Sequence, residues 1–335
     1  MKALPCTSLL LVLLPLVGLA ASAPLAPHAV IAIPDGHQSI GFDDIGYAAP
    51  LHRITVPAGA TGNLVLIDPA NNALTVIHGV SAPTANTGQH REGTTSAIYA
   101  EGYLFASDHD PAEVVTIDPQ TRKVIGRTPL AGGPDYVRYV ARTHEIWVTE
   151  PGKQQIQVFK LSVAPKPALT PETVIHVAGG PESLEVDNAR NRAYSNLWKS
   201  KTVSMELTSH KVLAEWPNTC EGSRGIAMDE AHDHVFVACS EGKVVTLAPA
   251  EDGKVVASAG AGIDIISYSP QLHHLYVPGA RAATLTIFNV TAAGALAPVA
   301  RYKTAEHAHC VTDDDAGHVF VCDPRTGTLL EVDDH

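Results

Sequence analysis

Asp43, Asp135, Glu182 and Asp264 have the clearest capacity for chemistry in this chain, because all four fall at one position of a repeating unit. Carboxylates gathered in one place repel each other and resist ionising, unless a cation, a proton or an arginine compensates them. Oxygen ligands suit Ca²⁺ or Mg²⁺, and nearby imidazoles shift the preference toward Zn²⁺, Mn²⁺ or Cu²⁺. The expected metal ligands are therefore Asp43, Asp135, Glu182, Asp264 and His307, around Ca²⁺, Zn²⁺ or Cu²⁺. His309 and His90 are the candidates for moving a proton. Arg224 occupies the same repeat position as the acids, and Asp108 and Asn196 close the strands beside it, so these three are expected to contact the rest of a ligand. In His307-Ala308-His309, strand alternation would put both rings on one face, about 6 to 7 Å apart. Ordered water with pairing to Arg224 would satisfy the same acids, and an organic ligand is a third possible occupant.

Only a repeated architecture can bring such distant residues together. Short alternating strands recur as NLVLIDP (63–69), EVVTIDP (113–119), QIQVFKL (155–161), TVSMELT (202–208), KVVTLAP (243–249), TLTIFNV (284–290) and TLLEVDD (328–334). A second run precedes each, from HRITV (52–56) and YLFAS (103–107) to HVFVC (318–322), and the repeat interval is 40 to 50 residues. Period-two alternation at that spacing predicts four-stranded propeller blades rather than stacked helical repeats. In a propeller the innermost strands start at one mouth of a central channel, which is where the four acids and Arg224 would meet.

Each third strand except the last is followed by a fourth, while AVIAIPDG (29–36) stands alone before the first blade. The expected fold is thus all-β: a single-domain, seven-bladed β-propeller over residues 24–335, with strand 29–36 completing the last blade. Closure of this kind removes open sheet edges, and a monomer is expected. Asp-Pro in IDPANNAL and IDPQTRKV, and Asp-Gly in PAEDGKVV, supply the turns between third and fourth strands.

These repeats resemble those of the YVTN or YncE-like seven-bladed propellers, with Ile117-Asp118-Pro119-Gln120-Thr121-Arg122-Lys123-Val124-Ile125 as the nearest copy of the family pattern. The resemblance extends over nearly all of residues 29–335. It implies a secreted propeller, in a group where many members have no assigned catalysis.

Composition narrows the partners. The net charge is -12 and only 5% of residues are aromatic, so neither a phosphate-backbone grip nor a stacking groove for single strands is expected. Met1-Lys2, the apolar run Leu9–Leu19 and the small residues Ala20-Ala21-Ser22-Ala23 have the layout of a secretory signal, with cleavage after Ala20 or Ala23. A secreted or periplasmic location follows, with no membrane span. Beyond Cys6 four cysteines remain, suited to an oxidising compartment. The propeller map places Cys310 opposite Cys322 and brings Cys220 to the same mouth as Cys239, so these two pairs are expected as disulfides. No G-x-S-x-G elbow, Walker-type loop or H-E-x-x-H occurs. Two readings result: a binding protein holding a small-molecule or protein ligand at the channel mouth with a divalent cation, or a metal-dependent propeller enzyme similar in arrangement to propeller lactonases and lyases.

Overall fold

The computed structural model describes residues 23–37, 40–82, 93–248 and 253–334. It contains seven four-stranded antiparallel sheets, six of them built from four consecutive strands. The seventh is composite: inner strand Val311–Asp313, then His318–Asp323, Thr328–Asp333 and, outermost, Ala29–Ala32. The fold is a seven-bladed β-propeller.

The closing strand is shorter than the 29–36 expected, and its register pairs Ala29 with Glu331 and Ala32 with Thr328. Beyond it the chain turns, and Ile33 N still donates to Gly327 O at 3.2 Å. Gly36 and Gly327 meet back to back here: a Cβ on Gly36 would lie 2.4 Å from Gly327 O, and Gly327 itself has φ +69°. Any larger residue would push the two ends of the ring apart. The signal segment falls outside the described residues except for Ala23. Among the described residues, no helix is long and apolar enough to cross a membrane.

Sequence periodicity explains where the core lies. Second and third strands are buried on both faces, as in Glu145–Glu150 and Asn63–Ile67, because each blade packs against a neighbour on either side. The apolar residues accordingly divide into seven clusters, one between each pair of adjacent blades. One position of the second strand fills these layers with Phe105, Trp147, Tyr194, Phe236, Tyr276 and Phe320, all 0% exposed. Blade 1 has Thr55 there, and its hydroxyl donates to the Gly46 carbonyl at 3.2 Å. The space left by the smaller side chain belongs to a cavity of about 440 Å³ at the far end of the channel. Outer strands such as Lys123–Pro129 alternate exposed and half-buried residues, as expected of the one sheet face that meets water.

Cys220 pairs with Cys239 (Cα–Cα 5.1 Å), and Cys310 with Cys322 (5.5 Å). The first ties the entry of blade 5 to its second strand, and the second does the same in blade 7. Each therefore braces a blade near the channel mouth.

Candidate functional site

At the mouth where the inner strands begin lies a cavity of about 590 Å³ whose lining includes Asp43, Asp135, Glu182, Arg224 and Asp264. Each of these acids sits two or three residues ahead of an inner strand, namely Gly46–Ala48, Val137–Val140, Glu185–Asp187 and Ser267–Ser269. Arg224 lies just inside Ser223–Asp229. The blade entries are held in place by bonds from one blade to the next. Asp44 N donates to Thr95 O at 2.9 Å, Gly225 N to Asp264 O at 3.0 Å, and Ile265 N to His309 O at 3.0 Å. Gly225 has no spare room, since a Cβ there would lie 2.5 Å from Asp264 O, and this close approach sets Arg224 beside Asp264.

The acids differ in what compensates them. Glu182 accepts from Arg224 Nη1 at 2.6 Å and from the indole of Trp198. The carboxylates of Asp43, Asp135 and Asp264 form no hydrogen bond or ion pair with another described side chain. All three line the cavity. Burial, followed by repulsion from Asp135 and Asp264, raises the Asp43 pKa well above the usual carboxylate range. Asp135 is raised for the same reasons, with burial first and Glu182 next. Burial pushes Glu182 up to about 7, although the bond from Arg224 opposes the shift. Among the described residues, Arg224 is the one guanidinium that lines this mouth beside the four acids.

These shifts fix the sign of a pH effect. A carboxyl whose pKa is higher in the folded than in the unfolded chain favours folding while it is protonated. That advantage is complete below about 4, the unfolded value, and is lost as pH rises through the folded value. For Glu182, whose side chain is 14% exposed, the window runs from about 4.5 to about 7. The loss amounts to about 3 kcal/mol at 1.36 kcal/mol per pKa unit.

A second layer lies one step deeper. Arg138 makes a bidentate pair with Asp44 (2.6 and 3.1 Å) and reaches Glu185 at 3.5 Å. Ser96 Oγ also donates to Asp44 at 2.6 Å. The Arg138 guanidinium stacks 4.9 Å from the centre of the Tyr136 ring. Tyr136 lines both cavities and divides the channel into two mouths. Neither Tyr136 nor the Asp44-Arg138-Glu185 set was expected from the repeat alignment.

The remaining candidates fall in several places. Asn196 is fully buried and donates to the backbone carbonyls of Arg224 (2.6 Å) and Gly225 (3.0 Å), while its oxygen accepts from Thr202 at 2.7 Å. It positions Arg224 from the neighbouring blade rather than facing the cavity. Asp108 is likewise buried, accepting from the Ser81 backbone N–H at 2.8 Å and from the Ser81 hydroxyl, so it ties blade 2 to the loop leaving blade 1. Ligand contact from Asn196 or Asp108 would require breaking these bonds.

His307 and His309 do not share a strand face. Residues 307–310 precede the inner strand, and His307 occupies an exposed turn at φ +69°. Both ring nitrogens of His309 are engaged by carbonyl oxygens, those of His307 and Phe42, each at 2.8 Å. The bond to Phe42 joins blade 7 to blade 1. His90 lies outside the described residues. In blade 2 the cavity is lined instead by Thr95, whose hydroxyl meets His109 Nε2 at 3.2 Å, and Trp198 adds an aromatic wall. The repeat alignment put Glu92 or Gly93 at this position and missed Thr95, because the inner hairpin of blade 2, where Ala97 pairs with Ala106, is two residues shorter than that of blade 3, where Val137 pairs with Val148; Trp198 occupies an unrepeated turn.

No family model matches the chain, and no curated protein matches it. Among solved structures the chain is similar to one in the crystal structure of the mitotic checkpoint complex, with TM-score 0.74 and 9% identity over 99% of each chain. It is also similar to a chain of Kuenenia stuttgartiensis hydrazine synthase, with TM-score 0.70 and 10% identity over 94% of this chain and 99% of that one. At such identities the likeness is one of fold.

Proposed function

We propose that this protein is a secreted, YncE-like propeller that binds a small ligand through its positive charge at the acidic mouth. The observation that carries this reading is the set of three carboxylates, Asp43, Asp135 and Asp264, that have no side-chain partner among the described residues and line a cavity of about 590 Å³. Keeping them so costs folding free energy, which a bound cation would return. Trp198, Tyr136 and Phe42 give the cavity aromatic surface suited to an organic cation. Among the described residues, no three of these acids bring oxygens within 4.8 Å of one another. A hydrated divalent ion carrying a second ligand, or an extended amine, fits that spacing better than a bare ion held on all sides. The two disulfides and the signal-like leader support export.

Calorimetric titration with Ca²⁺, Mn²⁺, Zn²⁺ and 1,4-diaminobutane at pH 6.5 separates the two kinds of cation. At least one should bind and release protons, read as a heat that changes with the ionisation enthalpy of the buffer. Asp43→Asn/Asp135→Asn should weaken that binding tenfold or more. Blank titrations at millimolar concentration with all four would end the proposal.

A second reading, metal-dependent catalysis, is favoured by one observation, that Glu182 is poised near pH 7 beside Arg224. Such a carboxyl exchanges a proton near neutrality, as a general acid or base must.

A further inference from the structure

Away from the acidic mouth, the turns that follow the inner strands of blades 5 and 6 lie side by side. They bring His232 and His273 together with ring centroids 6.5 Å apart. Asp229 organises both rings. Its Oδ2 accepts from His232 Nδ1 at 2.8 Å, and the Tyr268 hydroxyl lies near the same carboxylate. That hydroxyl stands 3.3 Å from His273 Nδ1.

The donor and acceptor rules then settle the geometry. A carboxylate only accepts, so His232 carries a proton on Nδ1. The nearby Asp229 charge draws the Tyr268 proton toward itself, which leaves the phenol oxygen to accept from Nδ1–H of His273. In both neutral rings the lone pair is left on Nε2, and no hydrogen bond to another described residue engages either Nε2. A histidine whose far nitrogen is anchored on a carboxylate, directly or through a phenol, is the usual arrangement around a protein-bound metal. His273 is exposed and His232 is 36% exposed, so both remain within reach of an ion in solution.

Tyrosine to histidine contacts five residues apart also occur in Tyr47–His52 (3.4 Å) and Tyr139–His144 (3.2 Å), where they staple the same turn. Blades 5 and 6 differ in two respects: a second imidazole lies alongside, and a buried carboxylate anchors His232 directly and lies near the phenol that holds His273. With metal to nitrogen distances of about 2.0 to 2.1 Å, two imidazoles on one ion have ring centres up to about 6.5 Å apart.

We propose that His232 and His273 form a binding site for one divalent transition-metal ion, preferring Cu²⁺ over Zn²⁺, with Asp229 as positioning residue. The preference follows the general affinity order for nitrogen ligands. The site is separate from the acidic mouth and does not depend on the function proposed there.

Untagged protein titrated with Cu²⁺ at pH 7.5, with binding followed by calorimetry and electron paramagnetic resonance, tests this. The expected result is a site whose spectrum shows nitrogen ligands and that binds Zn²⁺ more weakly. His232→Gln/His273→Gln, at exposed positions that leave the far-ultraviolet dichroism unchanged, should reduce affinity at least 100-fold. Asp229→Asn should weaken it about tenfold while nitrogen ligation persists. Asp43→Asn/Asp135→Asn should leave it unaltered. Undiminished nitrogen-ligated binding in the double histidine variant would overturn the proposal, as would wild-type protein that takes up no Cu²⁺ at micromolar concentration.

Discussion

Deleting residues 23–37 should abolish folding of the ring, and not merely shorten a tail. The deleted segment supplies the outermost strand of blade 7, and with it Ile31 and Ile33, 7% and 3% exposed. Burial of the two isoleucines contributes about 3 to 6 kcal/mol. The segment also contributes bonds on both sides of the seam: His28 N donates to Glu331 O at 2.7 Å, and Leu25 N donates to Arg301 O at 2.8 Å in blade 6. Its loss exposes the whole edge of Thr328–Asp333, which invites intermolecular pairing. Against a total stability of about 5 to 15 kcal/mol, the truncated chain should be unfolded or aggregated at 37 °C. Size-exclusion chromatography and thermal melting would report it, and a synthetic peptide covering 23–37 should restore part of the monomeric fraction. A truncated protein melting within a few degrees of the full chain would show that the seam closes in some other way.

Arg138→Met should cost about 3 to 5 kcal/mol, the usual result of removing one partner from a buried ion pair. Asp44 is 7% exposed and, among the described side chains, would keep the Ser96 hydroxyl alone as a charge-stabilising contact. Glu185, whose pKa is already raised by burial despite Arg138, would lose its counterion as well. Adding Asp44→Asn to Arg138→Met should recover more than half of the loss, because the stranded charge is then gone. Urea denaturation of both variants measures this. An Arg138→Met variant within 1 kcal/mol of wild type would mean that water or a shifted side chain already solvates Asp44, and that the partition between the two mouths is soft.

The residues that could be placed from sequence share one property: they repeat. Asp43, Asp135, Glu182 and Asp264 were found because seven copies of one alternating pattern put them in register. The unpaired strand near residue 29 had a ready place in a blade that lacked a fourth strand. Cys310 and Cys322 could be paired because antiparallel neighbours in a short hairpin face each other, as the structure shows. What the repeat does not encode was harder to read. Whether a polar side chain at a strand end faces the cavity or the next blade depends on its rotamer, and Asn196 and Asp108 both turn to backbone groups of adjacent segments. Alternation misplaced His307 and His309 because the chain there is still in a turn, and alternation holds only within a strand. The Asp44-Arg138-Glu185 layer did leave a trace, since each member follows a mouth acid by one to three residues. That trace becomes visible only when the inner strands are read past their first residue.

Acids that have no side-chain partner among the described residues converge on one mouth, and they should destabilise the protein while no cation is bound. Denaturant unfolding of wild type and Asp43→Asn/Asp135→Asn, in chelator from pH 4 to pH 8, tests this most directly. The two proteins should be similar in stability at pH 4. By pH 8 the wild type should have fallen below the variant by at least about 1.4 kcal/mol, the equivalent of one pKa unit. Parallel stability curves, or a variant weaker than wild type at pH 8, would contradict the account.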